Sequence, residues 1–379
     1  MNNTFTIKGS ATQISVYAHV VEESALQQLH HVANCPAFSD SQIVIMPDVH
    51  AGKGAVIGFT ATLGELVCPN VVGVDIGCGV IAANLGPSCP DFPKLDKFIR
   101  TNIPSGHSVR QSNVIGNSKE EELMEQVHEV GRNIQTAESL SYYVNSIGTL
   151  GGGNHFIEVG KGERNDYWII IHSGSRKFGN DIGNYYWKHA KKLENYSNGK
   201  KKLAWLGGSD RDDYLFAANI AQQYAKLNRK AMMDSLLHYL GFDFAYTERV
   251  ESVHNYIDFT DTVSMIRKGA ISAKKGERVI IPMNMAYGCV LGTGLGKALW
   301  NNSAPHGAGR AMSRSVAKKS ITLDEFKAVM TDVWSSCVQQ STIDEAPQAY
   351  KQVDDVLDYL SETVTLDTKI KSVYNFKST

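Results

Sequence analysis

The sequence lacks the features that would place a protein in a membrane or outside the cell. No apolar run reaches the roughly 18 residues that a membrane-spanning helix requires. The first residues, Met1–Gly9, lack the basic and then apolar layout of a secretory signal. The six cysteines follow no disulfide-framework spacing. We therefore expect free thiols in a reducing compartment, and hence a cytoplasmic protein.

The chain also carries almost no net charge and lacks internal repeats and low-complexity segments. Its 379 residues carry a formal net charge of −1. No overall field therefore draws the protein onto nucleic acid or anionic lipid, and any RNA must bind a local patch. The run Gly292–Gly296 fits neither the Walker A pattern nor the dinucleotide fingerprint, and we predict that it forms a turn. If the protein binds a nucleotide, we therefore expect a site that differs from the Walker A and dinucleotide-binding folds.

What the sequence has is a globular composition, with 42% hydrophobic and 20% charged residues, and both strand and helix patterns. Because the candidate motifs are spread from residue 47 to residue 314, we predict one α+β unit over residues 1–379. The apolar run Val71–Val74 is predicted to be a short strand that delivers Asp75 onto a loop. The other predicted strands are 12–18, 43–46, 54–63, 168–171, 278–282 and 369–376, and the predicted helices are 117–146, 180–197, 211–240, 323–339 and 346–361.

The most informative motif is Val74–Gly79, in which Asp75 and Cys78 lie three residues apart in a glycine-rich turn. One carboxylate, one thiolate and several imidazoles can complete two neighbouring coordination spheres, with the thiolate bridging. Two cations about 3.5–4 Å apart suit phosphoryl transfer because they neutralise charge on the attacking and leaving oxygens. The candidate histidines, each beside Gly, Asn or Ser or in a similar polar setting, are His155, His172, His254 and His306.

Each part of this constellation also has a plainer interpretation. A single Asp-x-x-Cys pair is more often a surface carboxylate beside a buried thiol, and a single histidine is usually structural. Only the ensemble argues for a metal. Thiolate and imidazole ligands by themselves favour zinc, so the residues do not decide which metal binds. The histidines predicted to play no part in the site are His19, His30, His31, His107, His128, His189 and His238.

Two arginine-containing motifs predict phosphate binding. Ser173–Arg176 and Gly307–Arg310 combine glycines, which expose backbone N–H groups, with guanidinium groups that pair two phosphate oxygens. Arg314 follows the second motif, and the run Gly151–Asn154 could act likewise. His306 precedes the second motif and suits a nucleophile that attacks phosphorus. A metal ligand or a general acid would have the same setting.

Together these motifs resemble those of the RtcB family of RNA ligases. They occur in the same order as in that family and span nearly the whole chain. The resemblance implies mixed or antiparallel sheets flanked by helices, with the active site in a central cleft. Ile281–Ala286 departs from the family's Ile-Pro-Gly-Ser-Met-Gly. The short chain is similar to a compact bacterial subgroup, some of which accompany a release-factor-like protein. The matching blocks are Met46–Gly54, Val74–Gly79, Leu150–Glu158, His172–Arg176, Arg267–Ala270 and His306–Arg314.

The resemblance further implies an enzyme that uses GTP and two manganese ions, with zinc as an adventitious occupant. It would join an RNA 3′-phosphate or 2′,3′-cyclic phosphate to a 5′-hydroxyl. His306 would carry GMP, which then passes to the RNA end as an RNA-3′-pp-5′-G intermediate. The implied metal ligands are Asp75, Cys78, His155, His172 and His254, with Cys78 bridging. The implied GTP contacts are Asn154, Glu158, Gly307, Ala308, Gly309, Arg310 and Lys377, and the implied RNA contacts are His50, Arg176 and Arg314.

Two other functions remain open on the sequence alone. The same metal site would serve a phosphohydrolase or nuclease if His306 does not hold GMP. A non-catalytic accessory protein that binds RNA ends would need no nucleophile. The presence of Asp75, Cys78 and His306 together therefore argues against the accessory.

Overall fold

The computed structural model of the chain describes residues 4–18, 20–136, 139–193 and 203–378. Within these ranges, strands form three sheets with helices around them. The predicted α+β class is therefore confirmed. No helix in the same ranges is both long and apolar enough to cross a membrane. That residues 1–379 form a single domain stays a prediction, and His19 lies outside the described residues.

The strands form sheets in which neighbours are antiparallel, except for one parallel pair. In chain order they are β1 Thr4–Lys8, β2 Gln13–Tyr17, β3 Ile43–His50, β4 Ile57–Thr62, β5 Gly79–Asn84, β6 Phe156–Gly162, β7 Tyr167–Ser173, β8 Arg249–Val253, β9 Asn255–Asp258, β10 Met265–Lys268, β11 Ala270–Ser272, β12 Arg278–Asn284, β13 Gly288–Gly294, β14 Ser303–Pro305 and β15 Val364–Lys377. One sheet has the order β1-β2-β3-β4-β10-β9, a second pairs β11 with β14, and the third has the order β12-β13-β15-β6-β7-β5-β8. Strands β2 and β3 form the parallel pair.

The seven-stranded sheet curves until its two edge strands meet. The backbone N–H of Ile280 in β12 donates to Ser252 Oγ in β8 at 2.9 Å. Side chains alternate between the two faces of a strand, and one set packs into a hydrophobic cluster on the inner face. That cluster is Val80, Ala82, Phe156, Trp168, Ile170, Val250, Ile280, Cys289, Leu291 and Ile370. Continuing the same alternation, Cys78, Glu158, His172 and His254 come to one end of this inner face.

A bulge in β15 changes which side chains of this last strand face inward. Ser372 pairs with Gly160 and Tyr374 pairs with Val159, so one extra residue, Val373, interrupts the register. Beyond the bulge, Tyr374 and Phe376 pack into the hydrophobic cluster on the outer face. The alternate residues Asn375 and Lys377 are therefore turned to the inner face, where they line the cavity described below.

Ten α-helices are present in the described ranges. They are α1 Glu23–Ala33, α2 Pro69–Val72, α3 Phe92–Asn102, α4 Ser118–Asn133, α5 Leu140–Asn145, α6 Arg176–Lys192, α7 Gly208–Tyr239, α8 Arg314–Ser320, α9 Leu323–Val329 and α10 Val353–Leu360. The long helix α7 buries the predicted face of Tyr214, Ala218, Ala221 and Ala225. Gly241 follows its end with a φ of +83°, which confirms the predicted glycine stop.

All six other predicted strands fall on observed strands, but Val71–Val74 was predicted wrongly. Pro69 starts the short helix α2, because its ring presets φ for the first helical turn. Gly73, at a φ of +92°, then ends the helix. The predicted turn Gly292–Gly296 is also wrong, since Gly292 lies inside β13. A Cβ on Gly292 would lie 2.3 Å from the Val364 side chain in β15, so close strand packing explains this glycine.

Most predicted helices have different bounds in the structure. Residues 117–146 form α4 and α5 rather than one helix, because Gln135 adopts a φ of +50° between them. Helix α6 begins earlier than the predicted 180–197, and residues 194–197 lie outside the described ranges. Near the C-terminus only α9 and α10 are helical within 323–339 and 346–361. Pro347 there begins a single 3-10 turn instead of a longer helix.

Candidate active site

The loop between α2 and β5 presents Asp75 and Cys78, and the helix α7 behind it holds the loop in place. Gly77 has a φ of +77°, and a Cβ there would lie 2.9 Å from both Ala225 Cβ and Gln222 Cα. Only glycine fits this position without displacing the loop. The fully buried Arg229 of α7 donates from Nη1 to the Gly77 carbonyl oxygen at 2.6 Å.

Two histidines contact Cys78 at the end of the seven-stranded sheet, and a third contacts one of them. The Cys78 Sγ atom lies 3.2 Å from His172 Nε2 and 3.5 Å from His155 Nε2. His172 Nε2 is in turn 3.3 Å from His254 Nε2. On the other side, His155 Nε2 lies 3.1 Å from Asp75 Oδ2. The five predicted metal ligands therefore form one contiguous cluster.

Backbone carbonyls orient two of the imidazoles. His155 Nδ1 lies 2.9 Å from the Leu150 carbonyl oxygen, and His172 Nδ1 lies 3.2 Å from the Asn154 carbonyl oxygen. A carbonyl oxygen only accepts, so each Nδ1 carries the proton and donates it. Each Nε2 then presents its lone pair to the cluster, which is how ligating histidines are commonly oriented.

The donor set fits a transition metal. Ligands of one ion at metal–ligand distances of about 2.0–2.3 Å in a tetrahedral site stand roughly 3.3–3.7 Å apart, close to the separations found here. Burial raises the pKa of the Cys78 thiol, and the Asp75 charge raises it further. Burial lowers the pKa of His172 and of His254, so both rings are neutral. A cation would supply the positive charge that a buried thiolate lacks.

His306 stands beside this cluster with its proton position defined by a carboxylate. Its Nδ1 lies 2.6 Å from Oδ2 of Asp48, which is completely buried in β3. Asp48 also accepts from the His306 backbone N–H at 3.3 Å. The His306 and His254 ring centroids are 5.0 Å apart. Nδ1–H therefore faces Asp48, and Nε2 is left with a lone pair for the cavity.

A second group of charged residues surrounds Glu345. Its carboxylate pairs with Lys377 at 2.9 Å, Arg314 at 2.6 Å and Arg310 at 3.3 Å. Tyr350 Oη also donates to it at 2.8 Å. Burial raises the pKa of Glu345, but the lysine and arginine charges outweigh that effect and hold its pKa at about 2. Glu345 thus remains ionised and holds three cationic side chains at the cavity wall.

The predicted GTP contact Glu158 is buried, and no basic side chain among the described residues forms an ion pair with it. Asn375 Nδ2 donates to Glu158 Oε2 at 2.9 Å, and Cys289 Sγ lies 3.6 Å from Oε1. Burial raises the pKa of Glu158 to about 7. Lys377, another predicted GTP contact, pairs with Glu345, and its Nζ lies 3.4 Å from the Asn154 carbonyl oxygen.

The cluster and the charged group open into one central cavity of about 330 Å³, a volume typical of ligand sites. The predicted site residues that line it are His50, Asp75, Cys78, Asn154, Glu158, His172, His254, His306, Gly307, Ala308, Gly309, Arg310, Arg314 and Lys377. His155 and Arg176 line an adjoining cavity of about 700 Å³, hereafter the arginine cavity. Asp75 and Asn154 border both cavities.

Arg176 is held in an unusual backbone conformation at the start of α6. Its φ is +56°, which costs energy for a residue with a side chain. Its Nη2 donates to the Gly106 carbonyl oxygen at 2.7 Å, and its Nε donates to Thr149 Oγ1 at 3.2 Å. A Cβ on Gly151 would lie 1.8 Å from Arg176 Nη1, so this glycine makes room for the guanidinium.

Comparison with known proteins identifies the family. The family model described as tRNA-splicing ligase RtcB matches residues 28–378. The chain belongs to the RtcB family. It is 34% identical to the RNA-splicing ligase RtcB of Escherichia coli K12 over 391 residues, covering 93% of this chain and 94% of that protein. It is 26% identical to the tRNA-splicing ligase RtcB of Nanoarchaeum equitans, covering 89% of this chain and 87% of that protein.

Sequence reasoning missed two acidic residues that organise this RtcB-family site. Asp48 lies within the matching block Met46–Gly54, two residues before the predicted contact His50, so its position in the block was a usable signal. Glu345 had no such signal. It lies in a 3-10 turn, Gln340–Glu345, far in sequence from Lys377 and the arginines it pairs with.

Proposed function

We propose that this protein is a GTP- and manganese-dependent RNA ligase that joins a 3′-phosphate or 2′,3′-cyclic phosphate end to a 5′-hydroxyl end. The relatives are named RNA-splicing and tRNA-splicing ligases. The observation that carries the proposal is the position of His306. Its Nδ1 is tied to buried Asp48 at 2.6 Å, and it stands beside the thiol–imidazole cluster.

In the first proposed step, His306 Nε2 attacks the α-phosphorus of GTP. A P–N bond forms, the bond to pyrophosphate breaks, and pyrophosphate leaves with the bonding pair. The ring gains positive charge on attack. Its Nδ1–H keeps donating to the Asp48 carboxylate, whose negative charge stabilises the positive ring. Bound divalent cations would neutralise charge on the phosphoryl oxygens.

In the next proposed steps, an oxygen of the RNA 3′-phosphate attacks the guanylyl phosphorus and the P–N bond breaks. This restores neutral His306 and leaves an RNA-3′-pp-5′-G end. The 5′-hydroxyl then attacks the RNA phosphorus, losing its proton, and GMP leaves. A cyclic phosphate must first be opened by water. Arg176 at the wall of the arginine cavity suits the terminal phosphate, since a guanidinium pairs two phosphate oxygens.

We assign the nucleotide to the central cavity. Asn154, Gly307–Gly309 and Arg310 line it beside His306, where phosphates would lie. The buried carboxyl of Glu158 suits guanine, which offers N–H donors along its base-pairing edge. Lys377, held by Glu345, lines the same cavity. This assignment favours GTP over ATP because guanine offers one carboxylate two adjacent donors, N1–H and N2–H, whereas adenine has an acceptor at N1.

One experiment tests the whole proposal. The protein is incubated with manganese and with GTP labelled at its α-phosphate, and protein-bound label is measured. RNA with 3′-phosphate and 5′-hydroxyl ends is then offered beside RNA with 3′-hydroxyl and 5′-phosphate ends. We expect label on the wild type and on His238→Ala, an exposed histidine in α7, but none on His306→Ala. Only the first RNA pair should be joined.

Other outcomes would reassign the function. Release of phosphate from RNA without label on the protein would indicate a phosphohydrolase or nuclease. Binding of RNA ends without turnover would indicate an accessory protein. Label that persists on His306→Ala would show that another side chain is the nucleophile.

A further inference from the structure

Three cavities meet at one residue, Asp75. The central cavity and the arginine cavity share Asp75, and a third cavity of about 210 Å³ also borders it. We call this third one the tryptophan cavity, after Trp187 in its wall. It shares Ile57 and Asn255 with the central cavity as well. A group bound there would therefore lie next to the metal cluster without entering the nucleotide cavity.

Helix α6 connects the arginine cavity with the tryptophan cavity. Arg176 and Asn180 line the first, and Asn184 and Trp187 line the second. These four residues follow one another at spacings of four, four and three, so they lie on one face of the helix. Asn184 Nδ2 donates to Asn180 Oδ1 at 2.7 Å, which joins the two pairs along that face.

The walls of the tryptophan cavity combine apolar surface with a few polar groups. The half-buried indole of Trp187 stands with Ile57 and Val72. The polar group at the other wall is Lys268, which is buried and donates to the backbone carbonyls of Lys53 at 2.5 Å and Asn70 at 3.4 Å. In the described part of the chain no carboxylate pairs with Lys268.

Asn70, another residue that lines this cavity, has an unsatisfied polar atom. Within the described ranges, its Oδ1 is buried and has no hydrogen-bond partner. A buried amide oxygen without a donor is costly unless a ligand supplies one. An aromatic surface, one amine and amide groups are what a protein uses to hold an unpaired nucleoside followed by a phosphodiester.

The proposed reaction decides which RNA strand this is. In phosphoryl transfer the attacking and leaving oxygens lie roughly in line on opposite sides of phosphorus. GMP leaves toward the central cavity, which His306 lines, so the 5′-hydroxyl must approach from another cavity. The arginine cavity holds the guanidinium suited to the 3′-phosphate. Of the three cavities that border Asp75, the tryptophan cavity therefore remains for the strand that carries the attacking 5′-hydroxyl.

We infer that the tryptophan cavity binds the terminal nucleoside of the 5′-hydroxyl RNA strand, with its base against Trp187. This inference rests on the proposed ligase function and assigns its second RNA substrate. Lys268 lines the same cavity, and a phosphodiester bound beside it would supply the negative charge that this buried lysine lacks. Because stacking does not distinguish bases, the site would accept any 5′-terminal base.

The test measures the KM for each RNA strand separately. For Trp187→Ala we expect the KM for the 5′-hydroxyl strand to rise about 10-fold, as the loss of one stacked base predicts. Guanylylation of the protein, activation of the 3′-phosphate end and the KM for that strand should stay unchanged. Trp187→Phe should recover most of the affinity. Tyr246→Ala, which alters a 90% exposed aromatic side chain elsewhere, is the control.

Removing the terminal base of the 5′-hydroxyl strand is the second change of a double-mutant cycle, in which Trp187→Ala is the first. A 5′-hydroxyl strand whose terminal nucleotide lacks its base should bind the wild type about as weakly as the intact strand binds Trp187→Ala. The two changes combined should add little, because both remove the same contact. The abasic strand tests the wild type directly, so the inference stays testable even if Trp187→Ala folds poorly.

The outcomes separate this inference from the proposed function. If guanylylation and 3′-end activation proceed but neither Trp187→Ala nor the abasic strand changes the KM for the 5′-hydroxyl strand, only the cavity assignment is overturned. A rise in KM for the 3′-phosphate strand instead would give the cavity to that strand and also overturn it. Absence of guanylylation in the wild type would overturn the proposed function itself.

Discussion

At the scale of single residues, the position of one proton decides whether His306 can attack phosphorus. The buried carboxylate of Asp48 accepts from Nδ1 and so keeps the lone pair on Nε2. In the proposed reaction the same carboxylate would stabilise the positive ring that forms on attack. Asp48 would thus act on His306 in the way that an orienting aspartate acts on a histidine base.

Replacing this carboxylate should therefore slow guanylylation without unfolding the protein. Asp48→Asn is nearly isosteric, but its amide can donate to Nδ1 and leave the proton on Nε2. We expect the single-turnover rate of label transfer from GTP to fall by about 10²–10⁴-fold. Asp354→Asn, an exposed carboxylate in α10, should react like the wild type. A rate within a few-fold of wild type for Asp48→Asn would show that the carboxylate does not position the proton.

Glu158 should make stability depend on pH. Burial raises its pKa from 4.5 to about 7, so the folded state binds this proton more tightly than the unfolded chain does. The free energy of unfolding should therefore fall as pH rises from about 4.5 to about 7, by roughly 3 kcal/mol from this group. Glu158→Gln should lack that decrease.

Urea unfolding without GTP at a series of pH values measures this difference. The stability of Glu158→Gln relative to wild type should grow across the interval and then level off. The exposed Glu362→Gln should show no such trend. Parallel pH curves for wild type and Glu158→Gln would contradict the raised pKa.

At the scale of elements, the loop between α2 and β5 depends on its contact with α7. Gly77 and Gly241 have nearly the same φ, at +77° and +83°. A Cβ on Gly77 would lie 2.9 Å from atoms of α7, whereas a Cβ on Gly241 meets nothing within 4 Å. The pair therefore separates the cost of the backbone conformation from the cost of the clash.

For Gly241→Ala we expect only the conformational cost, about 1–2 kcal/mol. Gly77→Ala should cost more, since α7 or the loop must move, and it should displace Asp75 and Cys78. Thermal unfolding measures the destabilisation. Metal content after dialysis against manganese measures the displacement of Asp75 and Cys78. Equal destabilisation of the two variants with full metal content in both would refute this account.

At the scale of the whole molecule, the proposed metal ligands come from segments that are far apart in the chain. Asp75 and Cys78, His155, His172 and His254 come from the loop before β5 and from the ends of β6, β7 and β8. A ligand that binds only the folded state stabilises it by mass action. Metal removal should therefore lower the stability of the entire fold and not only of the active site.

We expect manganese at about 100 times its dissociation constant to add roughly 2.7 kcal/mol to the free energy of unfolding. A chelator should reverse the effect, and Cys78→Ala should abolish most of it. Cys89→Ala, which removes an exposed cysteine, should respond like the wild type. Melting curves with manganese, zinc or chelator measure the effect for each metal. Identical curves for wild type with and without chelator would argue against a metal at this cluster.

The confirmed strand predictions fall on β2, β3, β4, β7, β12 and β15, whose apolar patterns are local, whereas the other strands of the described residues were not predicted. Trp168–Ile171 and residues 369–376 fell on β7 and β15. The errors arose where one residue overrides a pattern. The apolar run predicted as a strand is a helix because Pro69 begins it, and the long helix predicted over 117–146 is two helices because Gln135 has a positive φ. Near residues 323–361 the helices are shorter than their composition suggests, because 3-10 turns around Pro347 interrupt them.

The amino-acid sequence is enough to identify the chemical types at the site, because a carboxylate, a thiol and several histidines stand in glycine-rich or polar segments. Which of these groups act together depends on the fold. The register between β5 and β7 brings Cys78 and His172 to the same face. The bulge at Val373 turns Lys377 inward, Glu345 reaches it from another segment, and Asp48 meets His306 across sheets. Such contacts depend on register and close approach between distant segments, which no local pattern encodes.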